Sequence, residues 1–322
     1  MQPLHNCSMK TQPIGKSDLI STRLGWGNMR SVGTWIPAEV TDEKRAAAVA
    51  AHHAAYEAGY TLFDTADIYC RGVCEEMLGI ALRENREMRS RILIATKCGI
   101  RFPGEPTKSA PHRYDFSAEH IRSSCDGSLQ RLGIETIDLY QLHRTDMLMN
   151  PQEIAAAFDK LKAAGKVRYF GVSNMTPSQL LALQAHCPMP LIVNQVEIHL
   201  GRLDCFFDGT LDQCLEKWIT PLAWSPLGNG WLATGKSPKE TDEKREERQK
   251  MLDDLDKIAD ELGLSRTVLA IAWLMKHPSG IIPIIGTSNP EHIREAVAAD
   301  DVELSREDWY RVLRIGRGKR LP

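Results

Sequence analysis

The sequence predicts a closed (β/α)8 barrel formed by residues 1–322 as one domain, preceded by an N-terminal β-hairpin. Three observations carry this. Strand-like and helix-like segments alternate eight times along the chain. Most of the strand segments are continuous apolar runs, the mark of strands buried on both faces and hence of a parallel sheet covered by helices. Almost every one of them then ends on a polar or aromatic residue. At 322 residues the chain has room for two average domains, but α/β barrels reach this length as one. Eight units favour the closed barrel over an open doubly wound sheet.

The hairpin is predicted within residues 9–20, from two short apolar pieces about the turn Gly15-Lys16-Ser17-Asp18. The first barrel strand is the piece ending Leu24-Gly25-Trp26-Gly27-Asn28, whose glycines let a backbone come close to a ligand. Thr41 or Asp42 caps a helix to about residue 58, and Gly59 stops it before the strand at 61–64. A helix over about 74–87 leads to the strand at 92–97, and one over 117–132, stopped by Gly133, leads to 137–143. The helix at 151–164 opens on Pro151, ends at Gly165 and precedes the strand at 167–172. Helices at 176–186 and 209–218 precede strands at 191–197 and 222–225. A polar stretch, 228–240, separates these from helices at 242–262 and 265–276, the last strand at 281–285, and closing helices at 290–299 and 305–315.

Composition narrows the function. Hydrophobic content of 43%, charged content of 25% and a formal charge of −2 carry no bias toward nucleic acid or other polyanions. Residues 1–16 lack a core of signal-peptide length, and no apolar run is long enough to cross a bilayer. A cytoplasmic protein without membrane or nucleic-acid partners is expected; the sequence does not fix the oligomeric state, and a monomer is compatible with it. The eight cysteines lack the spacing of a disulfide scaffold, so reduced thiols are expected. Cys70-Arg71-Gly72-Val73-Cys74-Glu75-Glu76-Met77 approaches a cluster-binding C-x₃-C-x₂-C pattern, but Met77 stands at the third ligand position, where a thiolate is required. The charged run at 241–250 reads as a solvated helix face, and His52 and His53, in an alanine-rich helix, read as packing and surface residues rather than metal ligands.

In a barrel, chemistry gathers at the C-terminal ends of the strands. Those ends read Gly25-Trp26-Gly27-Asn28, Asp64 with Tyr69, Lys97, His143, Ser173-Asn174, Gln195 with Glu197, Trp224-Ser225 and Gly286-Thr287-Ser288. A phenol, with a free pKa of ~10, is a poor acid near neutrality. Beside an ammonium held by a carboxylate it is expected to lose its proton more readily, and Tyr69, Lys97 and Asp64 supply those three parts. A neutral His143 facing them can donate a hydrogen bond to a carbonyl oxygen. The set suits protonation of an oxygen as its carbon receives hydride. No G-x-G-x-x-G joins a strand to a helix, so the hydride donor must bind at the barrel mouth. Ser173, Asn174 and Gln195 suit a nicotinamide carboxamide, Trp224 its ring, and residues 286–295 a phosphate on backbone amides. Trp26, Trp35, Trp231 and the loop at 101–114 are expected to wall the substrate pocket, which favours small aldehydes, ketones or dicarbonyls over anions. The stretch 228–240 is expected to fold over the cofactor pyrophosphate.

Phe63-Asp64-Thr65-Ala66-Asp67-Ile68-Tyr69, Ala95-Thr96-Lys97, Leu142-His143-Arg144, residues 165–174, Asn194-Gln195-Val196-Glu197 and Ala223-Trp224-Ser225-Pro226-Leu227 occur in this order. In them the chain resembles the aldo-keto reductases over nearly its whole length, and with Asp208-Gly209-Thr210-Leu211-Asp212-Gln213 it is similar to a bacterial branch of uncharacterised oxidoreductases. The resemblance implies a TIM barrel closed at its base by the hairpin, a metal-free site, and NADPH bound extended across the mouth. It implies the catalytic set Asp64, Tyr69, Lys97 and His143, with Tyr69 as the acid. The implied cofactor contacts are Gly25, Trp26, Ser173, Asn174, Gln195, Trp224, Ser225, Pro226, Leu227, Gly228, Gly286, Thr287, Ser288, His292 and Arg294. Three positions depart from the family pattern. His292 stands where many members carry an arginine for the 2′-phosphate of NADPH, which leaves NADH open and makes Arg294 the candidate substitute. Cys70 and Cys74 replace glycine and serine beside Tyr69, either as tolerated small residues or as oxidation-sensitive thiols. A second functional class implied by the same resemblance is a cofactor-binding regulatory protein with little turnover, like the potassium-channel β subunits.

Overall fold

The computed structural model describes residues 9–235 and 242–320. Its centre is a closed barrel of eight parallel strands: β1 (Gly25–Gly27), β2 (Leu62–Asp64), β3 (Leu93–Cys98), β4 (Ile137–Leu142), β5 (Val167–Ser173), β6 (Leu191–Glu197), β7 (Thr220–Trp224) and β8 (Ile282–Ile285). Closure is made by β8 on β1, with Ile284 beside Gly25 and Ile285 beside Trp26. Lys97 lies beside Gln141 and Gln195 beside Ser173, so the register lines up the strand ends that carry the candidate residues.

The hairpin pairs Thr11–Pro13 with Ile20–Thr22 in antiparallel register. At its tip Ile14 and Leu19 are fully buried and join Leu62, Leu139, Ile192 and Leu222 in one cluster inside the barrel. The Gly15 amide donates to Thr220 Oγ1 at 2.8 Å, at the N-terminal end of β7. The hairpin therefore seals the base and leaves the other end open. Seven of the outer helices begin where the sequence offers an oxygen for their first amides: Thr41, Ser117, Asn150, Thr176, Ser265, Asn289 and Ser305 all accept from them.

The clearest differences from the expected layout are three. The second helix runs Val73–Glu84 and breaks at the extended residue Asn85, after which Arg86–Arg91 forms a separate short helix. The fourth strand stops at Leu142, one residue before His143, whose amide still reaches the Cys98 carbonyl at 2.8 Å. The loop at 101–114 is braced by a small hairpin, Ile100–Arg101 against Arg113–Tyr114. After β7 the chain forms a turn, Gly228–Gly230, and a short helix, Trp231–Thr234. The remainder of the polar stretch, 236–240, and the first residue of the charged run lie outside the described residues. His52 is buried with both ring nitrogens partnered, by the Ala48 carbonyl and by Asn28 Nδ2, and burial lowers its pKa to about 4. No helix among the described residues is long and apolar enough to cross a membrane.

The helices Val73–Glu84 and Ala118–Leu132 cross closely at Gly79. A Cβ there would lie 2.5 Å from the Arg131 carbonyl oxygen and 2.9 Å from that of Leu132. Both are backbone atoms that cannot rotate aside. Gly79→Val is expected to destabilise the fold by ~1–3 kcal/mol or more through overpacking, read as a lower urea midpoint. An unchanged midpoint would show that the two helices can separate without cost.

Candidate active site

Asp64 closes β2, and the next residues stay tied to β3: the Thr65 amide donates to the Ala95 carbonyl at 2.8 Å and the Asp67 amide to the Lys97 carbonyl at 3.1 Å. The loop thus extends the sheet past the strand end and carries Tyr69 back over Lys97. Lys97, fully buried, donates from Nζ to Asp64 Oδ2 at 2.7 Å, to the Thr65 carbonyl at 2.8 Å and to the Tyr69 hydroxyl at 3.4 Å. Gln195 Nε2 donates to the other carboxylate oxygen, Asp64 Oδ1, at 2.8 Å. His143 meets Tyr69 edge to face, with ring centroids 5.7 Å apart.

The electrostatics follow from this burial. Burial works against the Lys97 ammonium, but Asp64 and Tyr69 outweigh it and its pKa lies above the ordinary lysine value. For Tyr69 burial is the largest influence and exceeds the pull of Lys97, so the phenol is raised. Lys97 acts in the expected direction, lowering the phenol, but burial outweighs it, and in the resting site Tyr69 holds its proton. Burial, with Lys97 and Arg144 adding to it, puts His143 well below its ordinary value, which keeps the ring neutral. The buried Nδ1 of His143 has no partner.

These groups open into a cleft of about 890 Å³, near the upper end of the ~300–1,000 Å³ range of small-molecule sites. Asp64, Tyr69 and His143 line it, with Lys97 hidden beneath them. Of the expected cofactor residues, Ser173, Asn174, Gln195, Trp224, Ser225, Pro226, Leu227, Gly286, Thr287, Ser288 and His292 line the same cleft. Asn174 is fixed in a left-handed conformation (φ 58°), giving Nδ2 hydrogens to the His143 carbonyl and Ser173 Oγ while Oδ1 accepts from Trp224 Nε1 at 3.0 Å.

Other expected residues do not reach the cleft. Trp26 is 1% exposed and points outward from β1, against His52 and Phe63; its Nε1 donates to the Thr287 carbonyl at 2.9 Å, so it braces the loop after β8 from behind. Gly25 points into the barrel interior, where a Cβ would come 2.7 Å from Ile284 Cδ1. Trp231 is buried, with Arg248 over its ring, and Gly228 packs on its indole. Arg294 lies on the side of the helix Pro290–Val297 away from His292, Glu295 and Ala296, which do line the cleft. None of the side chains at 101–114 lines it either. Trp35 does not line the cleft either: it is 52% exposed and stands edge to face with Tyr69 at 6.1 Å.

Sequence reasoning missed Arg30, Arg144 and Asn229, and at the far end Asp256 and Arg266. Arg30 Nη2 donates to Asn229 Oδ1 at 3.1 Å, which joins the loops after β1 and β7 across the groove. Arg266 is fully engaged, donating to the carbonyls of Leu232 and Ala233 and to Asp256 Oδ2. Arg144 follows the expected His143 directly, and its neighbourhood to that strand end was the available signal. Burial raises both thiols beside Tyr69, that of Cys74 to about 12. The oxidation-sensitive alternative accordingly loses its physical basis, because the thiolate is the reactive form.

The aldo/keto reductase family model matches residues 23–316. The chain is 41% identical to a 6-dehydroglucose reductase of Novosphingobium aromaticivorans, over 96% of each chain. It is 37% identical to the oxidoreductase YdhF of Escherichia coli, over 82% of this chain and 85% of that one. Among solved structures it resembles a glycerol dehydrogenase from Gluconobacter oxydans, with a TM-score of 0.84 and 26% identity over 95% of this chain and 94% of that one. With the model matched across the barrel and its strand ends, the chain belongs to the aldo/keto reductase family and is an oxidoreductase.

Proposed function

We propose that this protein reduces an aldehyde or ketone to the alcohol, with NADPH as hydride donor and Tyr69 as general acid. The observation that carries the reading is the buried Asp64–Lys97–Tyr69 chain of contacts, open to a cleft beside a neutral His143. A bound nicotinamide supplies hydride. Ser173, Asn174 and Gln195 would hold its carboxamide, and the loop and helix start at 286–292 its phosphates, since Thr287, Ser288 and His292 line that end of the cleft. The fit is supported by the cleft's size and by its course from Tyr69 to Glu295.

The protein's own part is to place and load a proton. His143, neutral, orients a carbonyl oxygen toward the Tyr69 hydroxyl. As negative charge develops on that oxygen, Tyr69 gives up its proton, and the phenolate left behind is stabilised by Lys97, whose charge is balanced by Asp64. The 6-dehydroglucose reductase at 41% identity makes a polyhydroxylated aldehyde of sugar size the first substrate to test. Arg144 in the cleft lining offers hydrogen-bond donors that suit its hydroxyls.

Two measurements test this reading. Tyr69→Phe is expected to lower kcat for a responsive carbonyl by roughly 10²–10⁴-fold with little change in cofactor affinity; an undiminished rate would refute the acid role. Tight cofactor binding with no oxidation of NADPH across a broad panel of aldehydes, ketones and quinones would favour the regulatory alternative. Among the described residues no free guanidinium faces the cleft at the 2′-phosphate end, since Arg294 points away and Arg266 is engaged. His292→Arg is therefore expected to tighten NADPH binding roughly tenfold while leaving NADH unchanged, read by quenching of tryptophan fluorescence. Equal effects on both cofactors would move the 2′-phosphate away from this helix.

A further inference from the structure

Two helices form an added layer outside the eightfold repeat. The connection from β7 to β8 carries both Asp242–Leu262 and Arg266–Met275, and it is the second that packs on β8. Asp242–Leu262 packs on Arg306–Arg317, which closes the fold. Inward the pair buries Leu255, Ile258, Val312 and Leu313 in the main core. Outward it leaves a groove of about 880 Å³, and no residue that lines this groove lines the cleft.

The two walls of the groove differ in charge. Asp242–Leu262 presents Glu247, Lys250, Asp254, Lys257 and Glu261, with signs alternating every three or four residues along one face. The opposite wall presents cations alone, Arg311, Arg314 and Arg317 from the helix and Lys319 and Arg320 after it. Seven cations therefore meet three carboxylates, a surplus of four in a chain whose formal charge is −2. Two of the carboxylates are already matched, Asp254 by Lys257 at 2.8 Å and Glu261 by Arg311 at 2.5 Å. Lys250, Arg314, Lys319 and Arg320 are exposed, and among the described residues no ion pair or hydrogen bond engages their side chains. A helix favours cations in its last turn, which accounts for Arg314 and Arg317 but not for Lys250 on the neighbouring helix. The lining between the charged walls is apolar, from Met251, Ile258 and Ile315. Arg317 also lies over the ring of Phe207 at 5.4 Å, and this phenylalanine is 65% exposed. Apolar lining rimmed by charge, beside an exposed aromatic and a guanidinium, is the make-up of a protein-binding surface.

We propose that this groove docks an acidic segment of a partner protein, with its carboxylates against the wall from Arg314 to Arg320 and its apolar side chains on Met251, Ile258 and Ile315. The helix from Glu247 to Glu261 runs about 21 Å, the span of roughly six extended residues. Nucleic acid fits less well, because its backbone sets a negative charge at every step and would meet Glu247 and its neighbours as well as the cations. A polypeptide of mixed charge can match both walls. A compact polyphosphate calls for donors converging on one point, whereas these cations are strung along the groove. The proposal stands independently of the reductase reading.

The test uses the full chain and a fluorescein-labelled synthetic peptide of Asp and Glu with Leu at every third position, read by fluorescence anisotropy. Binding is expected to weaken at least tenfold between about 0.05 and 0.3 M salt, since the cations are exposed. Replacing the leucines by serine is expected to weaken it at least threefold. The groove variant Arg314→Glu/Lys319→Glu/Arg320→Glu is expected to lose at least tenfold in affinity, with cofactor Kd and Tm unchanged. Lys16→Glu/Arg86→Glu/Lys160→Glu makes the same change of net charge on exposed cations elsewhere and is expected to stay within about twofold of the parent. No binding at ~100 μM peptide, equal losses in the two triple variants, or an unchanged affinity in the groove variant would each overturn the proposal. So would displacement of the peptide by single-stranded DNA or tripolyphosphate at lower concentrations of charge than the unlabelled peptide needs. If the groove variant does not fold, Arg314→Gln/Arg320→Gln decides by the same comparison.

Discussion

The site depends on one buried ion pair. An ammonium taken into a protein interior costs several kcal/mol unless it is matched and hydrogen-bonded. Lys97 is fully buried, so its three hydrogens must all find acceptors, and the Asp64 carboxylate, the Thr65 carbonyl and the Tyr69 hydroxyl are the three it meets. This fixes the relative height of β2 and β3 and the path of the loop between Asp64 and Tyr69. Gln195 then satisfies the free oxygen of Asp64 and draws β6, from the opposite wall of the barrel, into the same constraint. The geometry of the proposed catalytic groups is therefore enforced by polar satisfaction in the floor of the cleft, and the cleft itself can remain open.

The chain leaves Tyr69 through a turn that few residues tolerate. Cys70, Arg71 and Gly72 all lie in the left-handed region, with φ of 45°, 52° and 93°. A non-glycine residue there costs about 1–3 kcal/mol and persists only when its surroundings hold it. They do: Cys70 is buried among Val32, Val49 and Met77, and Arg71 lies over the Phe102 ring at 4.2 Å and donates to Glu105 Oε1 at 2.7 Å. Glycine is required at position 72, where a Cβ would meet the Arg131 side chain at 2.5 Å. Cys70 and Cys74 thus belong to the packing that aims the tyrosine, as small apolar groups.

The barrel was legible in the sequence because strands buried on both faces have to be continuous and apolar, and because Gly59, Gly133 and Gly165 stop helices just before them. The floor of the site was legible too, since Asp64, Lys97 and His143 each close or follow an apolar run. What failed was direction. Side chains alternate along a strand, so Gly25 and Gly27 face the barrel axis and Trp26 between them must face the helices; its size and its place at a strand end carried no information about that. Arg294 failed in the same way on a helix, two residues and about 200° from His292. Arg30, Asn229, Asp256 and Arg266 were missed because they meet between elements whose distance in sequence hides their proximity.

The largest difference between reading and structure concerns the acid itself. Charge alone argues that Lys97 should loosen the Tyr69 proton, and in water it would. In the barrel floor the phenol gives up its own hydration, and that loss outweighs the attraction of an ammonium already balanced by Asp64. The consequence suits a reductase better than the simpler expectation does. A phenol raised by burial stays protonated in the resting site and is ready to donate, while Lys97, 3.4 Å away, acts when it is needed. In the proposed reduction the proton would move to an oxyanion forming beside the hydroxyl, and the charge left on the phenolate would lie next to a cation that required no rearrangement to be there.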